Sequence, residues 1–257
     1  MKTSPLLSVS GVSKSFPVNG VPFRALADVG LELRRNEIIA VIGASGCGKS
    51  TLLRCIAGLE TPDSGTLAIA GVPVTTAGQG SAVVFQDHRL LPWLTVRGNV
   101  ELALEPLAMT AAERQARAAR YIALVGLDAF AESYPRQLSG GMAQRAAIAR
   151  ALAVETDLVL MDEPFGALDS ILRTRMQEEL LKIWRAHQVS ILIVTHDIEE
   201  ALYLADRVVV MRPGPGHVHE VVELALPRPR SRDTEAFSQL RGHLLAALAQ
   251  TPAEVVA

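Results

Sequence analysis

The run Gly43-Ala44-Ser45-Gly46-Cys47-Gly48-Lys49-Ser50-Thr51 has the residue types and spacing to hold a polyphosphate. Glycines let a loop curl until successive N–H groups face one anion, and a helix opening at that loop adds positive potential. Lys49 brings a full charge suited to β- and γ-phosphates, and the Ser50 hydroxyl suits magnesium. A second constellation, Leu158-Val159-Leu160-Met161-Asp162-Glu163, is an apolar run ending in two carboxylates. Running beside the strand that precedes the loop, it would deliver Asp162 to the metal and leave Glu163 beyond the strand end, placed to polarise an attacking water. Taken alone, such a pair more often caps a helix or sits in a solvated turn; a phosphate loop in the same chain reverses the odds. A third run, Leu138-Ser139-Gly140-Gly141-Met142-Ala143-Gln144-Arg145, puts a serine and two glycines at a helix start. On physics alone it is an N-cap with flexible glycines, or a second anion site.

These residues need elements to position them. Apolar runs at Glu37–Ile42, Thr66–Ala70, Ala82–Gln86, Asp157–Asp162, Val189–Thr195 and Arg207–Met211 read as strands of a buried sheet. Helical patterns at Lys49–Gly58, Ser170–His187 and Ile198–Ala205 alternate with them, as a parallel α/β sheet requires. The phosphate loop therefore follows a strand, Ile38–Ile42, and opens a helix. From Thr110 to Gly126 and from Ser139 to Val154 the chain is rich in Ala and Arg without a strand signal, which predicts a helical insert. Thr110 followed by Glu113 fits a capping box, so a helix is expected to begin there. After Pro227 and Pro229 an apolar-periodic stretch, Phe237–Leu248, reads as a linker followed by a terminal helix.

The 257 residues suffice for one large domain, or for one domain with a smaller subdomain. Lys plus Arg number 25 against 27 Asp plus Glu, so the net charge of −2 does not advertise a nucleic-acid binder. Met1–Phe16 lacks the apolar core of a secretory signal, and a start in the cytoplasm is expected. The longest uncharged run, Ser64–Gln86, is filled with Gly, Ser and Thr and broken by Pro73, so no transmembrane segment is expected. Cys47 and Cys55 have neither CxxC nor zinc-knuckle spacing and read as small, semi-buried residues of a reducing compartment.

Together the three runs resemble the ATP-binding cassette (ABC) ATPases, in which a Leu-Ser-Gly-Gly signature stands between the two nucleotide motifs, as Leu138–Gly141 does here. The resemblance extends to about Val222. It implies a P-loop α/β fold with a RecA-like core, an N-terminal antiparallel β portion and a helical subdomain. It makes Gln86 the glutamine that contacts magnesium and links to a membrane partner, Asp169 of Ala167-Leu168-Asp169 a D-loop residue, and His196 the switch histidine. Phe16, in Lys14-Ser15-Phe16, corresponds to the aromatic that stacks on adenine. The implied ATP site comprises Phe16, Gly43, Ser45, Gly46, Cys47, Gly48, Lys49, Ser50, Thr51, Gln86, Ser139, Gly140, Gly141, Asp169 and His196. Mg2+ falls to Ser50, Gln86 and Asp162, and catalysis to Glu163, His196, Gln86 and Lys49. Met142 departs from the family, which has glutamine there.

A finer resemblance, to ATPases of nitrate, sulfonate and taurine importers, rests on Val83-Val84-Phe85-Gln86, Leu90-Leu91-Pro92-Trp93, Glu163-Pro164-Phe165-Gly166, Thr195-His196-Asp197 and the Pro213-Gly214-Pro215-Gly216 turn. It implies a single ABC domain with core 1–86 and 155–225, helical subdomain 87–154 and C-terminal extension 226–257. It further implies a head-to-tail homodimer, two transmembrane permease subunits, a periplasmic solute-binding protein engaged indirectly, and a place at the cytoplasmic face of the membrane. Leu90, Leu91, Pro92 and Trp93 are expected to be exposed, in a groove for a permease helix. Two other classes compete. A soluble ABC ATPase of repair or translation calls for a long coiled-coil insert or two cassettes, and neither is visible in these residues. A purely regulatory nucleotide-binding module has no need of Glu163 and His196, and both are present.

Overall fold

The computed structural model describes residues 4–249; residues 1–3 and 250–257, which include the end of the expected C-terminal extension, lie outside it. The chain begins with strands β1 (Leu7–Val18), β2 (Val21–Leu33) and β3 (Ile38–Gly43), then helix α1 (Lys49–Ile56) and strands β4 (Ser64–Ile69), β5 (Val72–Pro73) and β6 (Ser81–Val84). Three helices follow, α2 (Val96–Leu104), α3 (Ala111–Leu124) and α4 (Gly140–Ala153), then β7 (Leu158–Asp162) and α5 (Ser170–His187). The last elements are β8 (Ser190–Thr195), α6 (Ile198–Leu204), β9 (Arg207–Arg212), β10 (His217–Glu223) and α7 (Glu235–Ala249). They gather into two compact units, one of residues up to Gln79 together with those from Ser190 onward, the other Gly80–Val189. No helix among the described residues is long and apolar enough to cross a membrane.

The first unit holds two kinds of sheet, and the sequence patterns differ accordingly. β1 runs antiparallel to β2 and β4, with Leu7 opposite Leu33 and Ile69, and Val9 opposite Leu31 and Leu67. These pairs are buried while Glu32 and Thr66 beside them are exposed, the alternation of a sheet covered on one face. β1 and β2 escape a search for apolar runs because bulges between Val9 and Val12, and again around Lys14, break the period of two. β3 is buried along its whole length and lies parallel to both β8 and β9, with Ile42 opposite Thr195 and Val210. Both edges of β3 are thus taken. The expectation that Leu158–Asp162 runs beside the phosphate-loop strand is not met. β10 closes this sheet antiparallel to β9.

In the second unit β6 and β7 pair in parallel, Ser81 with Leu158 through Val84 with Met161. β6 stops at Val84, two residues short of the expected end at Gln86. Helices α2, α3 and α4 pack on one another. The face of α4 is alanine: Ala143, Ala146, Ala147, Ala149, Ala151 and Ala153 are all buried, and small side chains let neighbouring backbones approach closely. Thr110 and Glu113 form the expected capping box, each side chain bonded to the other's backbone N–H. Asn99, on α2, is wholly buried and fastens the preceding segment: Oδ1 accepts from Leu91 N at 2.7 Å, and Nδ2 donates to the carbonyls of Leu91, Leu94 and Thr95. Within that segment Leu90 is buried and Leu91 half-buried rather than exposed, whereas Pro92 is exposed and Trp93 is 69% exposed.

Candidate nucleotide site

The phosphate loop spans the end of β3 and the start of α1. Gly43 sits where a Cβ would meet Cys47 Sγ and the Met211 carbonyl, each at 2.5 Å, so only glycine fits. Gly46 and Gly48 have φ of +77° and +93°, the left-handed conformations that turn the loop around its own N–H groups. Ser45 and Gly46 at the tip are exposed, and Cys47 is fully buried, deeper than expected. Burial pushes the Cys47 thiol up, against the pull of the Lys49 charge. Lys49 folds back over the loop, Nζ donating to the carbonyls of Gly43 at 2.8 Å and Ala44 at 3.0 Å. The N-terminus of α1 has no side-chain cap and no acidic residue in its first turn. Its N–H groups, with Ser50 and Thr51 half-buried in that turn, are arranged for an anion.

Two further residues of this unit were expected at the site. His196 is exposed, just past the end of β8 and directly before Asp197, whose carboxylate caps α6 by accepting from the N–H groups of Glu199 and Glu200. Phe16 is half-buried on β1 opposite Phe23, with Lys14 Nζ 5.3 Å from its ring centroid. The ring is not core.

The second unit carries the other residues expected from sequence. Asp162 is the last residue of β7 and is buried; Glu163 follows it with φ of +46°, a left-handed turn that a non-glycine residue adopts at a cost. Gln86 Nε2 donates to Glu163 Oε2 at 3.3 Å, which brings together two of the predicted catalytic residues. Ser139 is the N-cap of α4, its hydroxyl accepting from Met142 N at 3.3 Å. Ser139 and Gly140 are exposed, and a Cβ built on Gly140 meets open space. Gly141 lies against Leu168 of the Ala167-Leu168-Asp169 turn, and Asp169 caps α5 by accepting from Leu172 N at 3.0 Å.

Sequence reasoning missed what holds the Gln86 segment. From α4, Gln144 donates to the Phe85 carbonyl at 3.3 Å, and Arg150 donates to the carbonyls of Arg89 at 2.7 Å and His88 at 3.0 Å. Burial lowers the Arg150 guanidinium from its usual value. The helix that opens at the Ser-Gly-Gly run thus grips the backbone on both sides of Gln86.

The residues fit magnesium and a nucleotide polyphosphate. In the first unit the loop would be filled by a Cβ at Gly43, the helix terminus is uncapped and Ser50 offers a hydroxyl; in the second, the Asp162 carboxylate and the Gln86 amide are likewise hard oxygen donors of the kind magnesium takes. Among the described residues no three His, Cys, Asp or Glu side chains form a metal cluster. Magnesium needs none, since it keeps waters and phosphate oxygens in its shell.

A phosphate loop opening a helix, an apolar strand ending in Asp-Glu and a parallel sheet define a P-loop nucleotide-hydrolysing protein. The family model for ABC transporters matches residues 26–166. The chain is 44% identical to the bicarbonate transport ATP-binding protein CmpD of Synechocystis sp. over 95% of its own length and 89% of that protein's. It is 42% identical to the aliphatic sulfonates import ATP-binding protein SsuB of Bacillus cereus, over 93% of its own length and 94% of that protein's. A solved dimeric ATP-binding cassette, MJ0796 bound to ADP and Pi, superposes with a TM-score of 0.78 at 32% identity, covering 85% of this chain and 98% of that one. This chain belongs to the ABC transporter family. It is an ATPase of that family, using ATP and Mg2+.

Proposed function

We propose that the chain powers uptake of a small anion, of the bicarbonate, nitrate, sulfonate or taurine kind, through separate membrane subunits. The observation that carries the enzymatic part is the uncapped α1 N-terminus under a loop held by Lys49. The anion part is supported by likeness to CmpD and SsuB over nearly the whole chain.

In this reading Lys49 and the loop N–H groups bind the β- and γ-phosphates, and Phe16 stacks on the adenine. Ser50, Asp162 and Gln86 would hold magnesium, which would supply charge neutralisation at the phosphates. The Glu163 carboxylate accepts the proton of the attacking water, oriented by the Gln86 amide bonded to it. His196 steadies the γ-phosphate, and Ser139, Gly140 and Gly141 with Asp169 complete the site of a second copy in a head-to-tail homodimer. The domain bounds expected from sequence, with the helical subdomain at 87–154, go with this reading. The dimer sits peripherally at the cytoplasmic face of the membrane on two permease subunits, served indirectly by a periplasmic solute-binding protein.

The segment after Gln86 is the docking surface. Asn99 holds its backbone while Trp93 stays exposed, so an apolar side chain is offered on a rigid base. Single cysteines at Trp93 and Leu91, in a chain co-purified with its membrane partners, should crosslink to a transmembrane subunit. Crosslinks solely to soluble proteins would remove the importer reading. Identifying the solute carried by the bound periplasmic protein then names the anion.

A further inference from the structure

Beyond the span of the family model, the chain from Leu226 onward is fastened to β9 and β10, where Arg212 donates to the Ala247 carbonyl at 2.9 Å and the His243 ring meets Glu220 at 2.9 Å, and most extensively to α6. A helix ends with carbonyls that have no partner inside it, and a helix of seven residues is too short to persist unaided. At the end of α6 those carbonyls are met by two guanidinium groups. Arg230, 8% exposed, donates through Nη1 to Leu202 at 2.8 Å, to Tyr203 at 3.4 Å and to Ala205, and through Nε to Leu226 at 3.4 Å. Arg228 donates to the Leu204 carbonyl and pairs with Asp206, whose other carboxylate oxygen accepts from Ile38 N at the start of β3. The Arg232 guanidinium lies 4.6 Å from the centroid of the Tyr203 ring.

α7 holds the same helix from the side. Phe237, Leu244 and Ala247 of α7 are buried, α7 packs on α6, and Arg241 pairs with Glu199 in the first turn of α6 at 2.8 Å. Positive charge at a helix C-terminus is favourable, and a planar fork can serve several carbonyls where an ammonium serves one or two. Burial and the charge of Arg228 push the Arg230 guanidinium down to about 10, so it stays charged at neutral pH. The other end of α6 is the Asp197 cap, and His196 is the residue before it. With a rise of about 1.5 Å per residue, the guanidinium groups act about 10 Å from that histidine, along about two turns of helix.

We propose that residues 226–249 are a positioning strap, which grips the Leu202–Ala205 carbonyls through Arg228 and Arg230 and so fixes the place of His196. It rests on the reading of His196 as a residue of the ATP site. Arg230 is a positioning residue here, since it acts through α6. The strap gives the C-terminal segment a part in turnover without touching nucleotide.

The test uses the full chain as Arg230→Met, Arg230→Lys and His196→Ala, with ATPase kinetics and histidine side-chain NMR, the His196 signal being assigned by its loss in His196→Ala. Arg230→Met should lower kcat about tenfold with KM for ATP within about twofold, as expected for a misplaced group that does not bind substrate. The His196 resonance should move while those of His88 and His187 stay. Arg230→Lys should recover part of kcat, and Arg230→Met added to His196→Ala should cost nothing further. A folded Arg230→Met chain with wild-type kcat and an unmoved His196 resonance overturns the strap. If that variant does not fold, Arg232→Ala and Arg241→Gln loosen the strap from its exposed side, and an unmoved resonance in both overturns it equally. A wild-type rate in His196→Ala alone would instead sink the role given to His196, and the resonance shift would still decide the strap.

Discussion

Asn99→Ala removes the side chain that fastens the backbone from Leu91 to Thr95. Two of its four partners have substitutes, since the Leu91 carbonyl also accepts from Leu94 N and the Thr95 carbonyl also accepts from the Asn99 backbone. The cost therefore falls mainly on the Leu91 N–H and the Leu94 carbonyl. A buried polar group left without its partner costs about 1–3 kcal/mol, so two partly buried ones come to about 3 kcal/mol. For a chain of this size that lowers the thermal midpoint by about 6–12 °C. Asn99→Asp should fall at least as far, because it keeps the acceptor for Leu91 N but turns an anion toward three carbonyls. Scanning calorimetry of both variants beside the parent chain reads the effect. A drop of under about 2 °C in Asn99→Ala would refute the reasoning that this one amide organises the segment.

Phe16→Ala should weaken ATP binding about three- to tenfold with the fold kept, since an aromatic stack contributes about 0.5–1.5 kcal/mol; unchanged affinity in a calorimetric titration would return Phe16 to a packing role. Burial pushes the Cys55 thiol from 9.0 up to about 11, so the folded chain holds its proton where the unfolded chain has lost it. Its contribution to stability is complete below pH 9 and is lost as pH rises toward about 11. Thermal midpoints measured across that range should fall less steeply in Cys55→Ala than in the parent, and equal slopes would contradict the assignment.

What the sequence made legible follows from the physics of each element. β7 and β8 are buried on both faces, so they read as unbroken apolar runs, and α5, from Ser170 to His187, matches the expected span because its face is periodic and Asp169 caps it. β1 and β2 did not read as strands, since bulges interrupt their alternation. α2 was missed because it is short and carries Gly98. The strand and helix that flank the glycine-rich loop were legible, β3 running one residue past the expected Ile42 and α1 stopping at Ile56 rather than Gly58, because both lie beside the motif in the chain. The grip of Gln144 and Arg150 on the backbone around Gln86, and that of Arg230 on α6, join residues far apart in sequence. No local pattern encodes them.

The role of Glu163 is tested most directly by Glu163→Gln. Glutamine keeps the size and a hydrogen-bonding oxygen but cannot accept the proton of water, so ATP binding through Lys49 and the loop should survive while hydrolysis stops. Mass measured by light scattering should then show a dimer with ATP and a monomer with ADP, and Lys49→Ala should stay monomeric with either. Hydrolysis by the Glu163→Gln chain near the wild-type rate, or an ATP-bound dimer of Lys49→Ala, would contradict the mechanism.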